Sequence, residues 1–220
     1  MDKFTIFIAD DHPIFLHGLK TIIDGQNNFK VSNTASDGVT AWDLIQVNKP
    51  SIAILDVDMP GMTGIEISRR VKELGLDTKV IILTMHKDEA VFNLALDMGA
   101  MAYVLKDNAA TDLVNSINTV LKGEYFISPH IIGFYNNRKQ GKYHDIVTAI
   151  NILTDTEKKV LRMISANKSS KEIASDFFIS DKTVQNHRFN ICKKLDLEGV
   201  NSLLSFALQN KYLINVFLAS

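Results

Sequence analysis

Residues 51–66 read SIAILDVDMPGMTGIE. The first five form a short apolar run without alternation, the pattern of a strand covered on both faces. The run ends on Asp56, and a second carboxylate follows at Asp58. Pro60 and Gly61 read as turn formers. Gly64 reads as the point where the backbone bends into a helical pattern over 64–75. A strand, a carboxylate at its end and a helix make one α/β unit. Four similar runs surround it: Phe4–Ala9, Lys30–Ala35, Lys79–Leu83 and Met101–Leu105. Helical patterns lie near 14–24, 38–48, 88–98 and 109–122. Strict strand–helix alternation predicts a five-stranded parallel sheet with helices on both faces, in the doubly wound, flavodoxin-like form.

The whole chain has 220 residues, enough for one large domain or two small ones. The 24 basic and 25 acidic residues nearly cancel. Their distribution does not. Residues 1–123 carry 11 basic and 16 acidic side chains, whereas residues 150–220 carry 10 and 7. An acidic front and a mildly basic end suggest two domains with different partners. Cys192 is the single cysteine, which excludes an intrachain disulfide and a thiolate zinc site. No apolar run reaches the roughly 18 residues of a membrane helix. The opening MDKFTIFIADDHP does not read as a secretory signal, so a cytoplasmic location is expected.

The alternation stops at Gly123. Tyr125–Tyr135 is aromatic and broken by Pro129 and Gly133, and Asn136–Lys142 (NNRKQGK) reads as a flexible linker. Beyond it the pattern is purely helical. Thr154 and Glu157 form a capping box before Val160, Leu161 and Ile164. Ser169 and Glu172 repeat it before Ile173, Ala174 and Phe177. Ser180 opens a third helix carrying Val184, His187, Ile191 and Leu195. Asn201 starts a fourth, with Leu203, Leu204, Ala207 and Leu208. The expected division is 1–122, a linker over 123–149, and a helical domain over 150–220.

In a parallel sheet, ligands bind at the carboxyl ends of the strands. Asp10 and Asp11 follow the first strand, Asp56 ends the third, Thr84 follows the fourth and Lys106 the fifth. Crowded carboxylates invite a divalent cation, and Mg²⁺ takes one or two carboxylates plus phosphate oxygens. A carboxylate can then attack a phosphoryl group while the metal and Lys106 neutralise the transferred charge. Asp-Val-Asp over 56–58 also looks like the signature of haloacid-dehalogenase-type phosphatases. That signature belongs after a first strand, and here it follows the third.

IADDHP, LDVDMPGMTGIE, ILTMH and GAMAYVLKD together resemble the receiver domain of bacterial response regulators, over about residues 1–122. The resemblance implies that Asp56 is the phospho-acceptor and that Asp10, Asp11 and Asp56 hold Mg²⁺ with the backbone carbonyl of Asp58. It further implies a switch pair of Thr84 and Tyr103, and a Lys106 that contacts the phosphoryl group. Relatives often have proline after this lysine, where the present chain has Asp107.

LTDTE (153–157), SSKEIA, FFIS and KTVQNH resemble the LuxR-type helix-turn-helix, over about 150–212. Joined to a receiver, this is the NarL/FixJ type of regulator. The helix after Ser180 turns Val184, Ile191 and Leu195 inward, leaving Lys182, Thr183, Gln185, Asn186, Arg188, Asn190, Lys193 and Lys194 for DNA. Many relatives carry lysine in place of Gln185 and glycine in place of Asn167, and Asn tolerates the left-handed conformation needed there. Cys192 reads as an ordinary small side chain. The reading implies a transcription regulator, not an enzyme with an external substrate, whose partners are a sensor histidine kinase, major-groove DNA and a second copy when active. The alternative within this architecture is a regulator that works without phosphorylation.

Overall fold

The computed structural model describes residues 3–139, 148–199 and 201–217. Contacts divide the chain into Met1–Tyr135 and Asn136–Ser220, and each unit is described by itself.

The first unit is built on β1 (Phe4–Ala9), β2 (Phe29–Ala35), β3 (Ile52–Asp56), β4 (Lys79–Thr84), β5 (Ala102–Leu105) and β6 (Phe126–Ile127). The helices are α1 (Pro13–Asp24), α2 (Gly38–Asn48), α3 (Gly64–Glu73), α4 (Glu89–Asp97) and α5 (Ala109–Leu121), with α6 (Ile132–Lys139) running past the unit's boundary. All strands are parallel, in the order β2-β1-β3-β4-β5-β6. The expected five-stranded sheet therefore gains a sixth strand. Phe126 pairs with Ala102 and Ile127 with Tyr103. Two residues are too few to show a period, so only the neighbouring edge of β5 reveals them. The stretch read as a linker also holds helix α6 through Lys139, while residues 140–147 lie outside the described residues.

Strand alternation distributes the core. Ile6, Ile8, Ile52, Ile54, Ile81 and Leu83 meet α1 and α5 through Leu19, Ile23, Leu113 and Ile117. Their neighbours Phe7, Ala53, Leu55 and Ile82 are buried as well, so both faces of the sheet are covered. The sheet order reverses between β1 and β3, which places a crevice at their carboxyl ends.

Gly64 serves a purpose other than bending. A Cβ there would lie 2.1 Å from the backbone oxygen of Asp56, so glycine lets α3 start directly against the end of β3. Thr63 caps α3 reciprocally with Glu66. Gly61 has φ +79, the left-handed turn expected beside Pro60.

In the second unit, residues 148–151 form one helical turn, followed by α7 (Asp155–Ser165), α8 (Ser170–Asp176), α9 (Asp181–Lys194), α10 (Ser202–Gln209) and α11 (Lys211–Phe217). The Thr154–Glu157 and Ser169–Glu172 capping boxes both form, and the Ser180 hydroxyl accepts from the Thr183 amide. Asn167 takes φ 61, as its position requires. Val160, Leu161, Ile164, Ile173, Val184, Ile191, Leu203 and Ala207 share one core. The apolar tail folds onto this core through Leu213 and Ile214.

Candidate phosphoryl-acceptor site and helix-turn-helix

β1, β3 and β5 deliver Asp10, Asp56 and Lys106 to one crevice. The Lys106 ammonium lies 2.7 Å from Asp10 Oδ2 and 2.7 Å from Asp56 Oδ2. It donates a hydrogen bond to Asp56 and forms an ion pair of equal length with Asp10. Asp10 Oδ2 is thus a buried carboxylate oxygen whose close partner is the Lys106 ammonium. Such an oxygen suits a metal ligand. The ligand atoms of Asp10, Asp11, His12 and Asp56 all lie within 4.8 Å of one another, so the residues fit a divalent cation.

Burial pushes the Asp56 carboxyl above its ordinary value, against the opposing hydrogen bond from Lys106. Burial alone pulls the Lys106 ammonium down. Its contacts with Asp10 and Asp56 outweigh that, and the net direction is up. The Phe15 ring lies 5.0 Å from the same ammonium, beside an apolar cleft of about 630 Å³.

Thr84 and Tyr103 are fully buried, Thr84 on β4 beside the strand of Asp56 and Tyr103 one strand further, on β5. The Thr84 hydroxyl accepts from the His86 amide at 3.1 Å, and the Tyr103 hydroxyl donates to the His86 carbonyl at 3.0 Å. The Tyr103 ring therefore points inward, edge-on to Phe92 at 5.4 Å. Burial pushes its phenol far above the ordinary value.

Two histidines join this network that the sequence pattern did not single out for it. His12 Nδ1 is 2.7 Å from Asp11 and 3.1 Å from Asp10. His86 Nε2 is 2.6 Å from the Asp58 carboxylate, so one residue links Asp58, Thr84 and Tyr103. The only available signal was spacing, since His12 directly follows the acid pair and His86 is two residues past Thr84.

In the second unit, α9 exposes Lys182, Gln185, Asn186, Asn190 and Lys193. Thr183 is partly spent on the helix cap, its hydroxyl 2.8 Å from that of Ser180. Arg188 is half-buried. Lys194 is exposed as well, with its ammonium 2.7 Å from the buried carboxylate of Glu157 on α7. The same helix also exposes Phe189, which charge-and-amide reasoning passed over. Burial pushes the Cys192 thiol up, in keeping with an unreactive side chain.

A doubly wound sheet with an acidic cluster at its switch point, followed by a helix-turn-helix unit, defines a two-part regulator. The family model for the response regulator receiver domain matches residues 6–118, and that for bacterial regulatory proteins of the luxR family matches residues 151–207. The chain is 34% identical to the oxygen regulatory protein NreC of Staphylococcus carnosus, covering 94% of this chain and 98% of that protein. It is similar to the receiver domain of the response regulator NarL from Mycobacterium tuberculosis (32% identity, TM-score 0.55, 56% of this chain and 100% of that one). It is also similar to RcsB in a structure of two RcsB dimers bound to two parallel DNAs (25% identity, TM-score 0.62, 97% and 99%). The chain belongs to the DNA-binding two-component response regulators of the LuxR type.

Among the described residues no helix is long and apolar enough to cross a membrane.

Proposed function

We propose that residues 1–122 accept a phosphoryl group on Asp56 from a sensor histidine kinase, and that the modification controls pairing of two copies and DNA binding by residues 150–220. The carrying observation is the Asp10–Lys106–Asp56 cluster. Lys106 holds Asp56 Oδ2, leaving Oδ1 to attack phosphorus as the bond to the donor breaks. Asp10, Asp11, Asp56 and the backbone carbonyl of Asp58 would hold Mg²⁺, which supplies positive charge to the phosphoryl oxygens. Lys106 neutralises the charge added to Asp56. Thr84 donates its hydroxyl to a phosphoryl oxygen, at the cost of its contact with the His86 amide. Tyr103 already occupies the inward position that such a movement favours, so phosphorylation biases an arrangement open to the chain.

The family supports the DNA half of this reading, and the RcsB dimers on DNA support pairing on a site of two halves. A kinase, DNA and the second copy meet this chain in the cytoplasm. No external substrate is turned over.

Acetyl phosphate with Mg²⁺ should add one phosphoryl group by mass spectrometry, and none to Asp56→Asn. Equal labelling of that variant would defeat the assignment. Genome-wide mapping of bound DNA for wild type and Asp56→Asn separates this reading from a phosphorylation-independent regulator, for which the two maps coincide.

A further inference from the structure

The buried stripe of α9 is Val184 and Ile191, continued by half-buried Leu195. At about 100° per residue, Lys182, Asn186, Phe189 and Lys193 fall within an arc of roughly 60° on the opposite side. Phe189 lies at one edge of that arc and Asn186 at the other. Phe189 is 70% exposed and is no member of the domain's hydrophobic core. Along the helix axis it stands about 10 Å from Lys182 and about 6 Å from Lys193.

A lone exposed aromatic on a protein surface ordinarily needs no explanation. This one stands among ammonium and amide groups. An apolar protein partner covering Phe189 would strand Lys182, Asn186 and Lys193 without water or counter-charge. A DNA major groove satisfies all four at once. Phosphates take the ammoniums, base edges take the amide, and the C5-methyl of thymine is the apolar group the groove offers.

We infer that Phe189 is a specificity-determining residue of the DNA interface, reading a thymine C5-methyl in each half-site. The inference rests on α9 being the DNA-facing helix. It adds sequence information that neither lysine carries, because phosphate contacts do not distinguish bases. Phe189→Ala should relax the preference at one position per half-site and leave the salt dependence of binding unaltered, since no charge changes.

The test uses the full-length chain treated with acetyl phosphate and Mg²⁺. Duplexes that it binds are selected from a random-sequence pool. Each thymine of the selected duplex is then replaced singly by deoxyuridine, which removes only the methyl group. One replacement per half-site should weaken wild-type binding about three- to tenfold. Phe189→Ala should show no loss at that position, and Phe189→Leu should keep part of it. Lys182→Ala and Gln185→Ala are measured in parallel. If they weaken binding while the deoxyuridine profiles of wild type and Phe189→Ala coincide, the thymine reading is overturned and α9 remains the reader. If none of the three changes alters binding, α9 is not the reader and both readings fail. If Phe189→Ala instead abolishes pairing in sedimentation without altering the deoxyuridine profile, the ring is a protein contact and the inference is overturned. Because the ring is exposed, the variants should keep the wild-type circular dichroism spectrum.

Discussion

The Lys106 ammonium rests 2.7 Å from Asp56 Oδ2, with both side chains almost wholly buried. It shares a carboxylate crevice with the proposed metal, so the two cations compete for the same negative charge. Lys106→Met removes the competitor and leaves Asp10 and Asp56 facing each other without it. Isothermal titration should show Mg²⁺ binding tightened about tenfold, or about 1.4 kcal/mol. Chelation by EDTA should destabilise this variant more than wild type, and labelling by acetyl phosphate should slow.

Thr84 and Tyr103 meet through the backbone of His86. Tyr103→Phe keeps the ring against Phe92 and loses one buried hydrogen bond, at a cost of about 1 kcal/mol. Asp56 labelling should persist in Tyr103→Phe and in Thr84→Ala, while phosphorylation-dependent pairing weakens in both. Undiminished pairing by sedimentation would show that the two residues do not relay the signal.

Gly64 leaves no room for a side chain. The methyl of Gly64→Ala would collide with the backbone of Asp56, on which the acceptor carboxylate depends. Denaturant unfolding of the first unit should show a loss of about 3 kcal/mol. The surviving folded fraction should also label more slowly, because Asp56 is displaced.

Glu157 and Lys194 bind α7 to α9. Burial raises the Glu157 pKa, but the Lys194 and Thr154 hydrogen bonds outweigh it, and the net direction is below the ordinary glutamate value. A depressed carboxylate contributes stability above its unfolded pKa and loses it as pH falls through the folded value. Lys194→Met should therefore destabilise the second unit at neutral pH, by about 1–2 kcal/mol given the lysine's partial exposure. The difference from wild type should shrink as pH falls below the ordinary glutamate value toward the depressed one. A pH-independent difference in thermal unfolding would place the contribution in the lysine stem rather than its charge.

Phe178 occupies φ +55 in the turn before α9, with its ring 96% exposed. The amide of Ile179 reaches back to the Ala174 carbonyl and closes the helix end, a place that glycine or asparagine fills more easily. Phe178→Asn should stabilise the second unit by about 0.5–1 kcal/mol and so raise its unfolding midpoint, since little packing is lost. An unchanged or lower midpoint would mean that the turn carries no strain.

Much of this protein was legible from local pattern. Asp56 closes an apolar run, and Thr84, Lys106 and the Asp10–Asp11 pair do the same on neighbouring strands. A buried parallel strand needs uninterrupted apolar residues, and a site at its end needs polar ones immediately after, so order along the chain alone located the crevice. The capping boxes at Thr154 and Ser169 were equally readable, because both partners lie within one helical turn. What the local pattern did not contain was decided by neighbours distant in sequence. β6 exists because β5 offers an unpaired edge to Phe126 and Ile127. Gly64 is needed because α3 passes against Asp56, not because its own backbone is unusual. The fold sets Lys194 beside Glu157, and Phe189, which the sequence reading did not single out, is left exposed when α9 docks with Val184 and Ile191 inward. Periodicity and capping act over a few residues of covalent chain, so the sequence by itself determined the strands, the helix starts and the acidic crevice. Burial and pairing act through space, so only the tertiary structure decided which charges bind the fold, which glycine must stay bare and which aromatic is left outside.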